Sequence, residues 1–170
     1  MATSIFERKR DFAYLLYFLI HIVVLFLVDL SPLFPDSLRL SLSNELLAYQ
    51  ANVYQDRFFA VEIPFFEFFR YMEAAIHVPV SFWAIRALVK GDHKVPLVLF
   101  AYALQTVITT ATCMYDFSQW EGVAVEAKWH LASLYGPYLL IATYMAVDMW
   151  GRVSGDLNEL RVLRAGKKSN

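Results

Sequence analysis

Four long apolar stretches, aromatic residues gathered near their ends, and lysines and arginines concentrated on one set of flanking segments predict the fold class. The chain reads as an all-α integral membrane protein, a bundle of four transmembrane helices with an additional helix in a long lumenal loop. The stretches span 11–30, 64–88, 95–115 and 129–150. Each approaches or exceeds the roughly 20 helical residues that a hydrocarbon core of about 30 Å requires. Helix is the expected conformation because lipid offers no partner to a backbone N–H or C=O.

The first stretch, DFAYLLYFLIHIVVLFLVDL, follows Arg8, Lys9 and Arg10 as a secretory signal would. It is too long for a signal h-region and runs into Asp29 and SPLFP without a small-residue cleavage site, so it is read as a retained anchor helix. The second, PFFEFFRYMEAAIHVPVSFWAIRAL, contains Pro79, and the fourth, WHLASLYGPYLLIATYMAVDMW, contains Pro137; both prolines predict kinks. Two kinked helices can leave a cavity between them, although kinks also occur without one. The third stretch is VPLVLFAYALQTVITTATCMY. Tyr14, Tyr17, Trp83, Trp129 and Trp150 lie towards the stretch ends as interfacial aromatics do.

Arg8, Lys9 and Arg10 precede the first stretch, Arg86, Lys90 and Lys94 flank the turn between the second and third, and Arg152, Arg161, Arg164, Lys167 and Lys168 follow the fourth. The opposite loops carry only Arg39, Arg57 and Lys128. The positive-inside rule then places both termini in the cytosol and residues 31–63 in a lumen. Within that loop SLSNELLAYQANVYQDRFF predicts an amphipathic helix started by Ser43 or Asn44. Residues 1–170 form one membrane domain, with 151–170 as a cytosolic tail.

Composition agrees. Hydrophobic residues make up 58% of the 170-residue chain, against about 45–50% in soluble domains, and mean hydropathy is +0.43. A net charge of −1 provides no basic field for nucleic acid. The single cysteine, Cys113, excludes an intrachain disulfide and sits in an apolar run, as a packed rather than reactive thiol does. There is no internal repeat and no low-complexity linker.

Polar residues at membrane depth carry the functional information. Asp29 ends the first stretch, and Glu73 lies about nine residues into the second, roughly 13 Å deep at 1.5 Å per residue. An acidic side chain at mid-membrane costs on the order of 2.5–3.5 kcal/mol. The opposed directions of the two helices bring both carboxylates into the lumenal half. A facing pair in low dielectric should share a proton and attract a buried cation such as an amine. The bland alternatives are Asp29 at a helix end or in headgroup water, and Glu73 bonded to a backbone carbonyl or to Arg70. Glu67, Arg70, Glu73 and His77 fall at helical spacing on a stripe expected to face the bundle. His21 lies mid-helix and, taken alone, reads more often as a hydrogen-bonded interior histidine. His21, Asp29, Glu73 and His77 together could hold a metal, but no H-x-x-x-H or E-x-x-H pattern supports one, and no metal or cofactor is expected. Tyr102, Gln105, Thr106, Thr109, Thr110 and Cys113 form a softer stripe, for most of which packing between helices is the simpler reading.

Several of these segments, in order and at matching spacing, resemble the sigma-2-receptor branch of the EXPERA-domain family, which also includes the emopamil-binding sterol isomerase. They are LYFLIHIVVLFLVDL, NELLAYQANVYQD, YMEAAIHVPVSFWAIRALVKG, the Thr109–Thr110 pair and SLYGPYLLI. The resemblance covers almost the whole chain. It implies a four-helix bundle of the endoplasmic reticulum with a cavity opening sideways to the bilayer. It also implies binding of cationic amphiphiles or oxysterol-like sterols, a link to cholesterol homeostasis, and homodimers. By matching position it implies that Asp29 pairs with a ligand amine, that Glu73 hydrogen-bonds to Asp29, and that His21, His77, Thr110, Tyr135, Tyr138, Leu46 and Tyr49 line the pocket. Asp56 reads as structural. His77 is a departure, because the animal receptor of this branch has glutamine there.

The resemblance leaves a sterol Δ8–Δ7 isomerase as the alternative, a chemistry that needs one acid and one base. Glu73 and His21 match residues of that enzyme. Its glutamate four positions after the histidine is replaced here by Leu25, which cannot move a proton. Binding without catalysis is therefore the expected function, with a helper that regulates another, sterol-handling membrane protein as a third class. Lys167 and Lys168, in KKSN, resemble a dilysine retrieval signal for the endoplasmic reticulum, with a basic segment against anionic lipid as the bland alternative.

Overall fold

In the computed structural model, which describes residues 4–168 (without the side chains of 167 and 168), all regular structure among the described residues is helical. Helix α1 (Lys9–Val24) widens into a π-turn at Leu25–Asp29, closed by the Leu30 amide donating to the Leu25 carbonyl at 2.8 Å. Helices α2 (Ser41–Val53) and α3 (Arg57–Ala60) follow. Helix α4 (Pro64–Met72) passes through a second π-turn, Glu73–His77, into α5 (Val78–Lys90). Helices α6 (Val95–Ser118) and α7 (Val125–Lys168) complete the chain.

Three segments are long and apolar enough to cross a membrane: Lys9–Asp29, Pro64–Lys90 and Val95–Ser118. Their apolar surface is turned outward, with Ile20, Val23, Phe82, Leu97 and Ile108 all more than half exposed. A soluble domain does not leave such surface in water. The chain is accordingly a helical, multi-pass membrane protein. The fourth expected stretch falls within α7, where His130, Gly136, Pro137 and Asp148 dilute the apolar character.

Helices α6 and α7 pack along each other, as do α1 and α5. The main core takes residues from all of them: Phe18 and Leu15, Ala84 and Leu88, Leu99 and Ala103, Met145 and Met149. Small residues such as Ala84 and Ala103 let neighbouring backbones approach closely, which is how helices associate when lipid supplies no hydrophobic drive. A second cluster, centred on Phe58, Phe117, Trp120 and Leu131, secures α3 against α6 and α7.

An ionic clamp holds the α1 and α7 ends. Arg152 donates to Asp11 at 2.6 Å and to Asp148 at 2.7 Å. Asp148 also accepts from Arg10 and from the Tyr14 hydroxyl. Arg8 binds Asp11 and the α5 carbonyls of Leu88 and Val89, placing a cation at the negative end of that helix. Gly91 then stops α5 in the left-handed region, φ +67°, where a side chain is strained.

The structure departs from the expected local features in several places. Helix α2 begins at Ser41, and neither Ser43 nor Asn44 caps it; Ser43 is buried inside the helix instead. The α2–α3 segment is not one helix, because Gln55 adopts φ +55° and Asp56 starts a new one. Pro79 sits in the first turn of α5, directly after the π-turn. The missing proline N–H frees a carbonyl in the preceding turn, and the widened helix absorbs that gap. Pro137 lies inside α7 without ending it, and α7 continues unbroken through the expected tail.

Candidate functional site

Both π-turns carry the acidic residues singled out from the sequence. Asp29 is the last residue of one, and Glu73 and His77 are the first and last of the other. A π-turn shifts the register of the following side chains, and such turns recur at functional sites. Asp29 and Glu73 are half-buried and line one cavity of about 190 Å³. His21, His77, Thr110, Tyr135 and Tyr138 line it as well. Among the described residues neither carboxylate has an ion-pair partner, and no direct hydrogen bond joins Asp29 to Glu73.

Arg70 stands within electrostatic range of both carboxylates. Its guanidinium donates to the Phe58 carbonyl at 2.8 Å and lies over the Phe59 and Phe66 rings at 5.2 and 4.7 Å, while its Nε is buried without a hydrogen-bond partner. It therefore tempers the negative charge without closing on it. Glu67 leaves the expected stripe: it is exposed and accepts from the Tyr71 hydroxyl.

Asp56 is fully buried and is not among the cavity-lining residues. It caps α3 by accepting from the Phe58 amide at 3.0 Å, and it also accepts from Gln50 at 3.1 Å and from the Tyr135 hydroxyl at 2.9 Å. Burial pushes its carboxyl above the ordinary value, opposed by these three donors. Asp56 thus ties α2, α3 and α7 together.

Leu46 and Tyr49 do not line the cavity. Tyr49 is 53% exposed on the outer side of α2, edge-on to Tyr54 at 5.5 Å, and α2 presents Gln50 to the cavity instead. The expectation also missed Phe59, Phe66 and Phe69. Thr106, Thr109 and Cys113, read as packing residues, line the cavity too. Their helical spacing with Thr110 was the available signal. Lys167 and Lys168 end α7, but their side chains, and Ser169 and Asn170, lie outside the described residues. Among the described residues no group of three or more histidine, cysteine or acidic side chains comes together as a metal site.

On the outer side, a groove of about 730 Å³ runs between α1 and α7 from Lys9 and Arg10 past Tyr14 and Tyr144 to His21 and Tyr138. Its walls include the exposed Ile20, Leu140 and Ile141. His21 and Tyr138 belong to both groove and cavity, so they form the partition between the outer apolar surface and the carboxylates.

These features define a multi-pass membrane protein with a cavity between its helices that two carboxylates line. Residues 42–149 match the EBP family model, described as EXPERA (EXPanded EBP superfamily), and the chain belongs to that family. The matched span begins inside α2, so α1 with His21 and Asp29 lies outside it. The chain is 28% identical over 145 residues to efficient mitochondria targeting-associated protein 19 of Schizosaccharomyces pombe, covering 84% of this chain and 76% of that one. It is 26% identical over 155 residues to sigma intracellular receptor 2 of Xenopus tropicalis, covering 86% and 91%. The human sigma intracellular receptor 2 is 26% identical over 146 residues, covering 79% and 83%.

Proposed function

We propose that this chain is a four-pass receptor of the endoplasmic-reticulum membrane. Its cavity takes a cationic amphiphile or a sterol-like ligand, and its role lies in sterol homeostasis. The observation that carries this reading is the pair Asp29 and Glu73, which reach one cavity from two spanning helices with no ion-pair partner among the described residues. A ligand amine supplies the missing positive charge, and the surrounding phenylalanines and tyrosines supply its apolar contacts. Asp29 makes the ion pair, and Glu73 supports it from the facing helix. The cavity alone is small for such a ligand. The groove beyond His21 and Tyr138 extends it to the size of amphiphile pockets and opens it sideways to lipid.

The fourth crossing is residues 129–150 of α7. Leu140, Tyr144 and Val147 there are more than half exposed, as lipid-facing residues are. With that crossing both ends fall on one side and α2 and α3 on the other, and the lysine and arginine distribution favours the cytosol for the ends and the lumen for α2 and α3. Residues 1–170 act as one domain, and a homodimer is the assembly expected of it. Two relatives carry names of intracellular receptors, which agrees with an internal membrane.

The rival reading is a sterol isomerase. Leu25, four residues after His21, is fully buried and apolar, which favours binding over proton transfer. A helper that regulates another membrane protein, such as a sterol-handling one, is the third reading, and the fission yeast relative is named for mitochondrial targeting. Equilibrium binding of a tritiated lipophilic amine to purified protein, beside Asp29→Asn and a Δ8-sterol turnover assay, separates the three. Saturable binding lost in the variant, without turnover, is the expected result. Turnover would transfer the chain to the isomerases. Neither signal, with a defined membrane partner co-purifying, would leave the helper.

A further inference from the structure

The cavity has a second pair of polar side chains that the carboxylates leave unused. His21 and His77 are 4% and 2% exposed, and all four of their ring nitrogens are buried without a hydrogen-bond partner. An uncharged imidazole carries one N–H donor and one acceptor, and interiors rarely leave such groups unmatched. Some neighbouring polar groups are committed elsewhere, although the Ser81 hydroxyl, one turn beyond His77, is buried without a hydrogen-bond partner as well. The Tyr17 and Tyr102 hydroxyls bond each other at 3.2 Å, and the Thr106 hydroxyl donates to the Tyr102 carbonyl.

The two rings are also held in place. His21 stacks on Tyr17 at 5.3 Å and 12°, and His77 lies against Tyr102 at 4.6 Å. Their centroids stand 5.8 Å apart. The rings do not bond each other, yet a single oxygen about 2.8 Å from each of two nitrogens spans up to roughly 5.6 Å. A hydroxyl, which both donates and accepts, satisfies one nitrogen of each ring at once.

We propose that His21 and His77 form a second subsite of the cavity, one turn beyond Glu73, that hydrogen-bonds a hydroxyl group of the ligand. This rests on the reading of the cavity as a ligand site and names the ligand class: an amphiphile that carries a hydroxyl and, where it is an amine, a cation within reach of the carboxylates. His77 lies four residues beyond Glu73, and His21 eight residues before Asp29. At 1.5 Å per residue the histidines stand roughly 6 and 12 Å along their helices from those carboxylates, so one ligand reaches both groups.

The test uses the full chain in lipid nanodiscs and four probes on one fused-ring frame: amine with hydroxyl, amine with methyl, and the same two without the amine. Binding is measured for the wild type, His21→Phe, His77→Leu and His77→Gln, with ring ¹⁵N spectra of histidine-labelled protein. Each hydroxyl probe should bind about tenfold or more tightly than its methyl counterpart and shift the ring nitrogens of both histidines. His21→Phe and His77→Leu should erase that preference, and His77→Gln, which keeps donor and acceptor, should retain part of it. Equal affinity of hydroxyl and methyl probes, a preference unchanged in both apolar variants, or unmoved ring nitrogens would overturn the proposal. The amine-free pair separates it from the carboxylate reading. Asp29-dependent amine binding without a hydroxyl preference removes the histidine subsite alone. A histidine-dependent preference without any contribution from the amine removes the cation role alone. No binding of any probe removes both.

Discussion

The Tyr135 hydroxyl donates to Asp56 Oδ2 at 2.9 Å, so a tyrosine of the cavity wall is fastened from behind by a buried carboxylate on another helix. Its ring faces the cavity edge while its polar tip holds α7 to the α2–α3 junction. Site and scaffold are therefore coupled at this residue.

Tyr135→Phe should destabilise the protein by about 1–2 kcal/mol, because it removes one of the donors to a buried acceptor. The loss should depend on pH. Burial already holds Asp56 above its ordinary value, and the Tyr135 hydrogen bond opposes that rise. Without it the folded state favours protonated Asp56 still more. The extra loss is then absent at low pH, where Asp56 is protonated folded and unfolded, and it grows as pH rises through the folded-state value. Thermal unfolding in detergent at acidic and mildly basic pH measures this, and a pH-independent loss would contradict it.

Arg152→Ala should cost about 1–2 kcal/mol, lowering Tm by roughly 2–8 °C. The figure sits below that of a fully buried pair because Asp11 keeps Arg8, and Asp148 keeps Arg10 and Tyr14. Arg152→Lys should recover only part of the loss, since one ammonium cannot reproduce the fork that binds both carboxylates. Full recovery by lysine would show that charge alone holds α1 to α7.

Asp29→Asn should weaken binding of a lipophilic amine about 10- to 100-fold while leaving thermal stability near wild type, as loss of a charge-assisted contact does. Glu73→Gln should weaken it less. A larger effect from Glu73→Gln than from Asp29→Asn would exchange their roles.

The single cysteine, Cys113, is 3% exposed, which makes labelling of introduced cysteines clean. In sealed microsomes a membrane-impermeant maleimide should reach His93→Cys and Asp156→Cys, and should reach Ser37→Cys and Glu126→Cys only after detergent is added. Labelling of Glu126→Cys and Asp156→Cys from the same side would remove the fourth crossing.

How much of this was legible in the sequence differs between residues. Apolar length is a local property, so the crossings 11–30, 64–88 and 95–115 were readable and match Lys9–Asp29, Pro64–Lys90 and Val95–Ser118 within a few residues. Helix α7 was harder, because its apolar and polar residues are mixed and only its packing along α6 shows which face is which. The π-turns were not readable. A helix widens where packing rewards the altered register, and neither LFLVD nor EAAIH announces that.

The sequence by itself determined that the chain enters the membrane, and that Asp29 and Glu73 lie within its apolar stretches. Transfer to lipid depends on what a segment is made of, so composition suffices for both. Only the tertiary structure decided which side chains share the cavity. It turned Tyr49 outward and Gln50 inward, committed Tyr135 to Asp56, and left the ring nitrogens of His21 and His77 without partners. Those outcomes depend on the rotation and approach of helices far apart in the chain, which no local pattern encodes.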